Sequence, residues 1–169
     1  MTHDYSDDAR PAAEGDDARL AAETASGAGE LLLTVRAIES DALTGRELGR
    51  RGDHAANTYI LEQLASARPG DAVLSEESAD DPARVGADRV WIIDPLDGSK
   101  EYGMPDHVDW AVHIALWEAG RGLTAAAVAQ PAIGESPQFA VIFPKQAVEI
   151  RRRGRERTHV LALARMKKQ

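Results

Sequence analysis

The chain has 169 residues, a formal net charge of −8, 43% hydrophobic residues and no cysteine. That length suits one domain able to bury its own core, and an acidic body argues against nonspecific nucleic-acid binding, because phosphate backbones attract basic faces. Absent cysteine excludes disulfides and thiol chemistry and suits a reducing cytoplasm; no signal-peptide pattern and no apolar run of membrane-spanning length is visible.

Residues 1–14 are acidic and poor in large apolar side chains, which predicts a disordered arm. From Asp17 to about Ile38, the residues Leu20, Thr24, Ala28, Leu31, Leu32, Val35 and Ile38 recur at helical spacing and predict a first helix. Asp53 is placed to cap a second helix that runs to about Ala67, with Ala56, Tyr59, Ile60 and Leu64 on one face, and Arg68-Pro69-Gly70-Asp71 stops it. Strands are expected near 72–76, 89–94, 109–117 and 123–130. The third alternates Trp110, Val112, Ile114 and Leu116, and a short turn at Ala119-Gly120-Arg121-Gly122 makes it antiparallel to the fourth. The order predicts an α+β layer, two long helices packed on a mainly antiparallel sheet. No internal repeat is present.

The segment Trp91-Ile92-Ile93-Asp94-Pro95-Leu96-Asp97-Gly98-Ser99 carries the most chemistry. An apolar strand enters a tight turn with two carboxylates three residues apart. Pro95 pushes Asp94 into an extended conformation, and Gly98 supplies a position without Cβ. The side chains of Asp94 and Asp97 and the Leu96 carbonyl can then surround one point, an all-oxygen arrangement that suits Mg²⁺. Asp-Pro-x-Asp-Gly is equally good chemistry for a plain surface turn. Upstream, Val73-Leu74-Ser75-Glu76-Glu77-Ser78 is a second short strand ending in acids, and strand ends are where open α/β sheets hold their sites. A cation is the better reading for Glu76; solvent is the simpler one for Glu77 and Ser78.

These residues resemble the inositol monophosphatase superfamily of Mg²⁺-dependent, lithium-sensitive phosphatases. The resemblance rests on Leu74 to Ser78, Trp91 to Ser99 and Val108 to Leu116 in order, and covers roughly residues 15–135. Within it, Gly98-Ser99-Lys100-Glu101-Tyr102 is similar to bacterial 3'(2'),5'-bisphosphate nucleotidases of the CysQ type. The resemblance implies that Glu76, Asp94 and the Leu96 carbonyl hold a first Mg²⁺, and that Asp94 and Asp97 hold a second. It implies that Ser99, where the family has Thr, orients the attacking water with Glu76, and that Asp53 is associated with a third metal and that water. Gly98 and Ser99 match positions whose backbone N–H groups hold the substrate phosphate. Paired metals of this kind neutralise a phosphate monoester and activate water for in-line displacement.

The resemblance also implies a second half of comparable size with a Trp-Asp motif, and no Trp-Asp occurs in this chain. Residues 1–144 carry 11 basic against 26 acidic side chains, a net −15, while 145–169 carry 9 against 2, a net +7. The chain therefore reads as a disordered arm (1–14), an N-terminal metal-binding phosphatase domain (15–135) and a foreign or frame-shifted basic tail (136–169). Two function classes stay open. One is a cytoplasmic Mg²⁺-dependent phosphomonoesterase acting on 3'-phosphoadenosine 5'-phosphate in sulfur assimilation, with inositol phosphate or fructose bisphosphate as alternative substrates. The other is a noncatalytic remnant or interaction module. The expected partner is a small phosphate ester, without nucleic acid or membrane, and exposed strand edges would favour association such as a homodimer. His113 is expected to be a packed or solvent-facing histidine, and Lys100 either faces the substrate phosphate or is a solvated lysine, the two readings being equally good.

Overall fold

The computed structural model describes residues 10–79, 82–133, 138–143, 146–152 and 155–156. Helix α1 spans Arg10–Glu39 and helix α2 spans Gly45–Ala67. Among the described residues seven strands follow: β1 (Ala72–Ser75), β2 (Arg89–Asp97), β3 (Ala111–Glu118), β4 (Gly122–Gln130), β5 (Gln138–Phe143), β6 (Gln146–Arg152) and β7 (Arg155–Glu156). A one-turn helix, α3 (Ser99–Tyr102), follows β2 directly. The strands form one sheet in chain order; β1 and β2 run parallel and every other neighbouring pair is antiparallel, β3 and β4 included.

One face of the sheet is covered by the helices. Trp91, Ile93, Val112, Ile114 and Leu116 alternate toward a buried layer that they share with Leu32, Ile60 and Leu64. Where α1 meets β4 the seam is built from alanine, with Ala18, Ala21, Ala25 and Ala28 buried on the helix and Ala125, Ala127 and Ala129 buried on the strand. Opposite the end of β2 that carries Asp94, Arg89 gathers the elements electrostatically. It pairs with Asp17 of α1 at 3.0 Å, Asp71 at 2.9 Å and Glu118 of β3 at 2.9 Å. Arg68 reaches Asp17 at 2.8 Å, and the Trp91 indole donates to Asp71 at 2.8 Å. Among the described residues, no helix is long and apolar enough to cross a membrane.

The fold departs from the sequence reading in four places. Residues 10–14, expected in the disordered arm, begin α1, because Pro11 suits a first helical turn and Ala12, Ala13 and Glu14 are good helix formers; residues 1–9 lie outside the described residues. The far end of α1 turns out of the core, leaving Ile38 71% exposed. Helix α2 starts eight residues before Asp53, with Thr44 at its N-cap, so Asp53 lies inside the helix and caps nothing. Finally, β5, β6 and β7 extend the sheet into the span expected as a basic tail, since Gln138–Phe143 is rich in strand formers that the downstream charge count obscures. Residues 157–169 lie outside the described residues.

Two glycines that look like helix breakers explain the start of α2. A Cβ on Gly49 would stand 2.5 Å from the Ser99 carbonyl oxygen, and one on Gly52 would stand 2.6 Å from the Tyr102 ring. They are needed for close approach of α2 to α3. In Gly52→Ala, gained helix propensity is about 1 kcal/mol, whereas overpacking against a fully buried ring costs about 1–3 kcal/mol. The expected result is a lower midpoint in urea denaturation for Gly52→Ala. Gly70→Ala, with open space around its Cβ position, should leave the midpoint within experimental scatter.

Candidate active site

The parallel pairing of β1 and β2 fixes the first geometric fact. Both strands end on the same sheet edge, so Glu76, which follows Ser75, arrives beside Asp94, which follows Ser75's partner Ile93. The Glu76 amide still donates to the Ile93 carbonyl at 3.4 Å, holding the two ends together. The turn after β1 is tied down from α2: Ser75 Oγ donates to Asn57 Oδ1 at 2.7 Å, and Asn57 Nδ2 donates to Ser78 Oγ at 3.1 Å. Asn57 lies one helical turn after Asp53, so the side chain that fixes the acidic turn also fixes its distance from Asp53.

A bulge supplies the second fact. Asp94 pairs with His113 and Asp97 with Ala111, so three steps along β2 match two along β3. Residues three apart on a regular strand point to opposite faces; the extra residue bends the strand and lets Asp94 and Asp97 turn toward one region. Asp94 Oδ1 accepts the Leu96 amide at 3.2 Å, which closes the turn. Gly98 then takes φ 81°, and the chain enters α3 at Ser99. Gly98 is the position where that φ is required, and a Cβ there would also meet the Asp109 carbonyl oxygen at 2.9 Å.

The site thus gathers Asp53, Glu76, Glu77, Asp94 and Asp97 near one sheet edge, with Gly98 and Ser99 adjoining. Electrostatics records the crowding. Desolvation by burial, then repulsion and a shared hydrogen bond with Glu77 and repulsion from Asp94 and Glu76, pushes the Asp53 carboxyl up to about 7. Burial, then repulsion from Glu76 and Asp97, pushes Asp94 up to about 6 against the opposing pull of His113 and the Leu96 amide. Asp53 Oδ1 is buried without a hydrogen-bond partner among the described residues.

Three residues matter here that sequence reasoning left aside. Glu77, expected to be merely solvated, is the largest charge influence on Asp53. His113, expected to be packed or solvated, places Nε2 3.5 Å from Asp97 Oδ2 and stands opposite Asp94 in the ladder. Asn57 carried no local signal except its position four residues after Asp53. Lys100 is exposed, as a solvated lysine would be.

The donor set fits a hard divalent cation: all oxygen, crowded with negative charge, and including one buried carboxylate oxygen left unpartnered. Among the described residues no three His, Asp or Glu side chains stand in the arrangement of a metal centre.

Helices over a largely antiparallel sheet with acids at the strand ends define a sugar-phosphatase-like class, and sequence comparison agrees. The chain belongs to the inositol monophosphatase family, whose sequence model matches residues 16–142 and so reaches into β5, beyond the point where the motifs give out. It is 52% identical over 130 residues to the 3'-phosphoadenosine 5'-phosphate phosphatase of Mycobacterium leprae (strain TN), covering 72% of this chain and 48% of that protein. It is 46% identical over 72 residues to the 3'(2'),5'-bisphosphate nucleotidase CysQ of Salmonella typhimurium, covering 41% and 28%. The crystal structure of CysQ from Bacteroides thetaiotaomicron superposes with a TM-score of 0.64 at 25% identity, over 81% of this chain and 49% of that one. The chain spans about half the length of its Mycobacterium leprae relative.

The raised carboxyls give a signed pH prediction for the metal-free chain. Between the ordinary value of 3.8 and their folded values of about 7 and about 6, Asp53 and Asp94 hold protons in the folded state that the unfolded chain releases. Their stabilising contribution is therefore complete below about pH 4 and is lost as pH rises through 6 to 7. Melting curves in EDTA should show Asp53→Asn more stable than wild type at pH 8, with the difference shrinking toward pH 5. A difference that stays constant or grows as pH falls would contradict the crowding.

Proposed function

We propose that the chain is the catalytic-metal half of a Mg²⁺-dependent phosphomonoesterase that hydrolyses 3'-phosphoadenosine 5'-phosphate to AMP and phosphate, a cytoplasmic step of sulfur assimilation. What carries the reading is the delivery of Asp53, Glu76, Asp94 and Asp97 to one sheet edge directly ahead of the Gly98–Ser99 turn. The 52% identity to a relative named for this substrate favours it over inositol phosphates and fructose bisphosphate.

In this reading Glu76, Asp94 and the Leu96 carbonyl hold one Mg²⁺, and Asp94 with Asp97 hold another. Bound Mg²⁺ supplies charge neutralisation at the phosphate and acidifies water. The remaining steps belong to side chains and backbone. The amides of Gly98 and Ser99 hold the phosphate oxygens. The Ser99 hydroxyl and Glu76 orient a water in line with the scissile bond. Asp53, with a carboxyl near neutrality when no cation is present, and Glu76 are the bases at hand for its proton. A second reading is an interaction module without turnover.

Calorimetric titration should show weak Mg²⁺ binding to wild type and none resolvable for Asp94→Asn; equal binding by the two proteins refutes the metal site. In phosphate-release assays the 169-residue chain alone should stay near background, because it spans about half the length of its Mycobacterium leprae relative and lost positioning of the nucleoside is costly in rate. Joined to the C-terminal half of the Mycobacterium leprae relative, it should gain Mg²⁺-dependent, lithium-inhibited release from 3'-phosphoadenosine 5'-phosphate, and Asp97→Ala should abolish it. No release from the joined protein would favour the module.

A further inference from the structure

The Gly98–Ser99 turn opens α3, and a helix of four residues has no stability of its own. Its attitude toward the carboxylates must be set by whatever grips it from behind. The grip comes from Tyr102, the last residue of α3, which is fully buried. Its hydroxyl donates to the Leu32 carbonyl of α1 at 2.8 Å, and its ring meets Trp110 edge-on at 5.0 Å between centroids. Gly52 of α2 closes on the same ring.

Beyond Tyr102 the chain runs through Gly103 to Val108, and there packing gives out. An open cleft of about 580 Å³, lined by Leu33, Ala37, Thr44 and Pro105 among others, separates this loop from the end of α1 and the start of α2. Arg36 of α1 spans the gap. Its guanidinium lies 5.7 Å from the Tyr102 ring centroid, donates from Nη1 to the His107 carbonyl at 2.7 Å, and donates from Nη2 to the Met104 carbonyl. The planar fork meets two carbonyls at once, which a lysine ammonium on a flexible stem does not reproduce. The Gly45 amide adds one bond to the Gly103 carbonyl at 2.8 Å.

We propose that Arg36 is a positioning residue: by clamping the Met104 and His107 carbonyls over the back of Tyr102, it fixes α3 so that the Gly98 and Ser99 amides can hold a phosphate group. The proposal rests on the reading of that turn as the phosphate cradle. It assigns a role to a helix residue more than sixty positions from the motif in sequence. Arg36 touches neither the carboxylates nor the phosphate, so it acts on phosphate affinity through geometry alone.

The test uses the 169-residue chain with Arg36→Met and Arg36→Lys, and two readouts. Amide hydrogen exchange should rise about tenfold or more at residues 98–107 in Arg36→Met while the buried amides of β3 and β4 keep their protection. Titration with inorganic phosphate in Mg²⁺, followed at the Gly98 and Ser99 amides by NMR, should show affinity falling about tenfold, with Mg²⁺ affinity unchanged. Arg36→Lys should fall between, and guanidinium ion added to Arg36→Met should restore part of the phosphate affinity. Unchanged exchange at 98–107, or a uniform rise across the whole chain, overturns the positioning role, as does loss of Mg²⁺ and phosphate affinity in parallel. Wild type that takes up no phosphate refutes the cradle reading instead, and the exchange pattern still decides what Arg36 does.

Discussion

Like charges at one sheet edge are the constraint that the rest of the molecule answers. Burial and the mutual repulsion of Asp53, Glu77, Asp94 and Glu76 make the metal-free cluster a destabilising feature, held in place only because each acid rides on an element anchored elsewhere. Asp53 rides on α2, fixed by two glycines against α3; Glu76 and Glu77 ride on a turn tied to Asn57; Asp94 and Asp97 ride on a bulged strand paired on both sides. A polar cluster of this kind is affordable where the surrounding structure over-determines it.

The opposite end of β2 shows the counterpart. Arg89 opens the strand that Asp97 closes, and its pairs with Asp17, Asp71 and Glu118 draw α1, β3 and the residue just ahead of β1 together by attraction. Strand β2 is thus pinned by complementary charge at one end and loaded with like charge at the other. Its middle, with Trp91 and Ile93 buried against the helices, joins the two ends rigidly. The crowding at Asp94 is tolerated because the strand that carries it cannot slide.

Much of this was legible in the residues. The helical recurrence from Leu20 to Val35, the alternation from Trp110 to Leu116 and the short turn between β3 and β4 are local patterns, and each element follows from one of them. The motif residues at 76, 94 and 97 reach one sheet edge because parallel pairing brings the ends of β1 and β2 together and a bulge turns the end of β2. What stayed hidden depends on distant partners. Gly49 and Gly52 look like interruptions until α3 is set against them, so the beginning of α2 was misplaced and Asp53 was taken for a cap. His113 is ordinary in its own strand and significant only across the ladder from Asp94. Strand β5 was masked by the basic residues after it, a case where composition over a long window outweighed a short apolar run.

The alanine seam between α1 and β4 has a consequence for how the chain is made. The sheet grows in chain order, so each strand after β1 can be added to the one before it as synthesis proceeds. Helix α1 is different. It is the first described element to leave the ribosome, yet the surface it packs on includes β3 and β4, which end at residue 130. Helix α2 can pair with it first, through Leu32, but the small-residue face that meets β4 offers little to bind in the meantime and stays uncovered until a surface as flat as its own arrives.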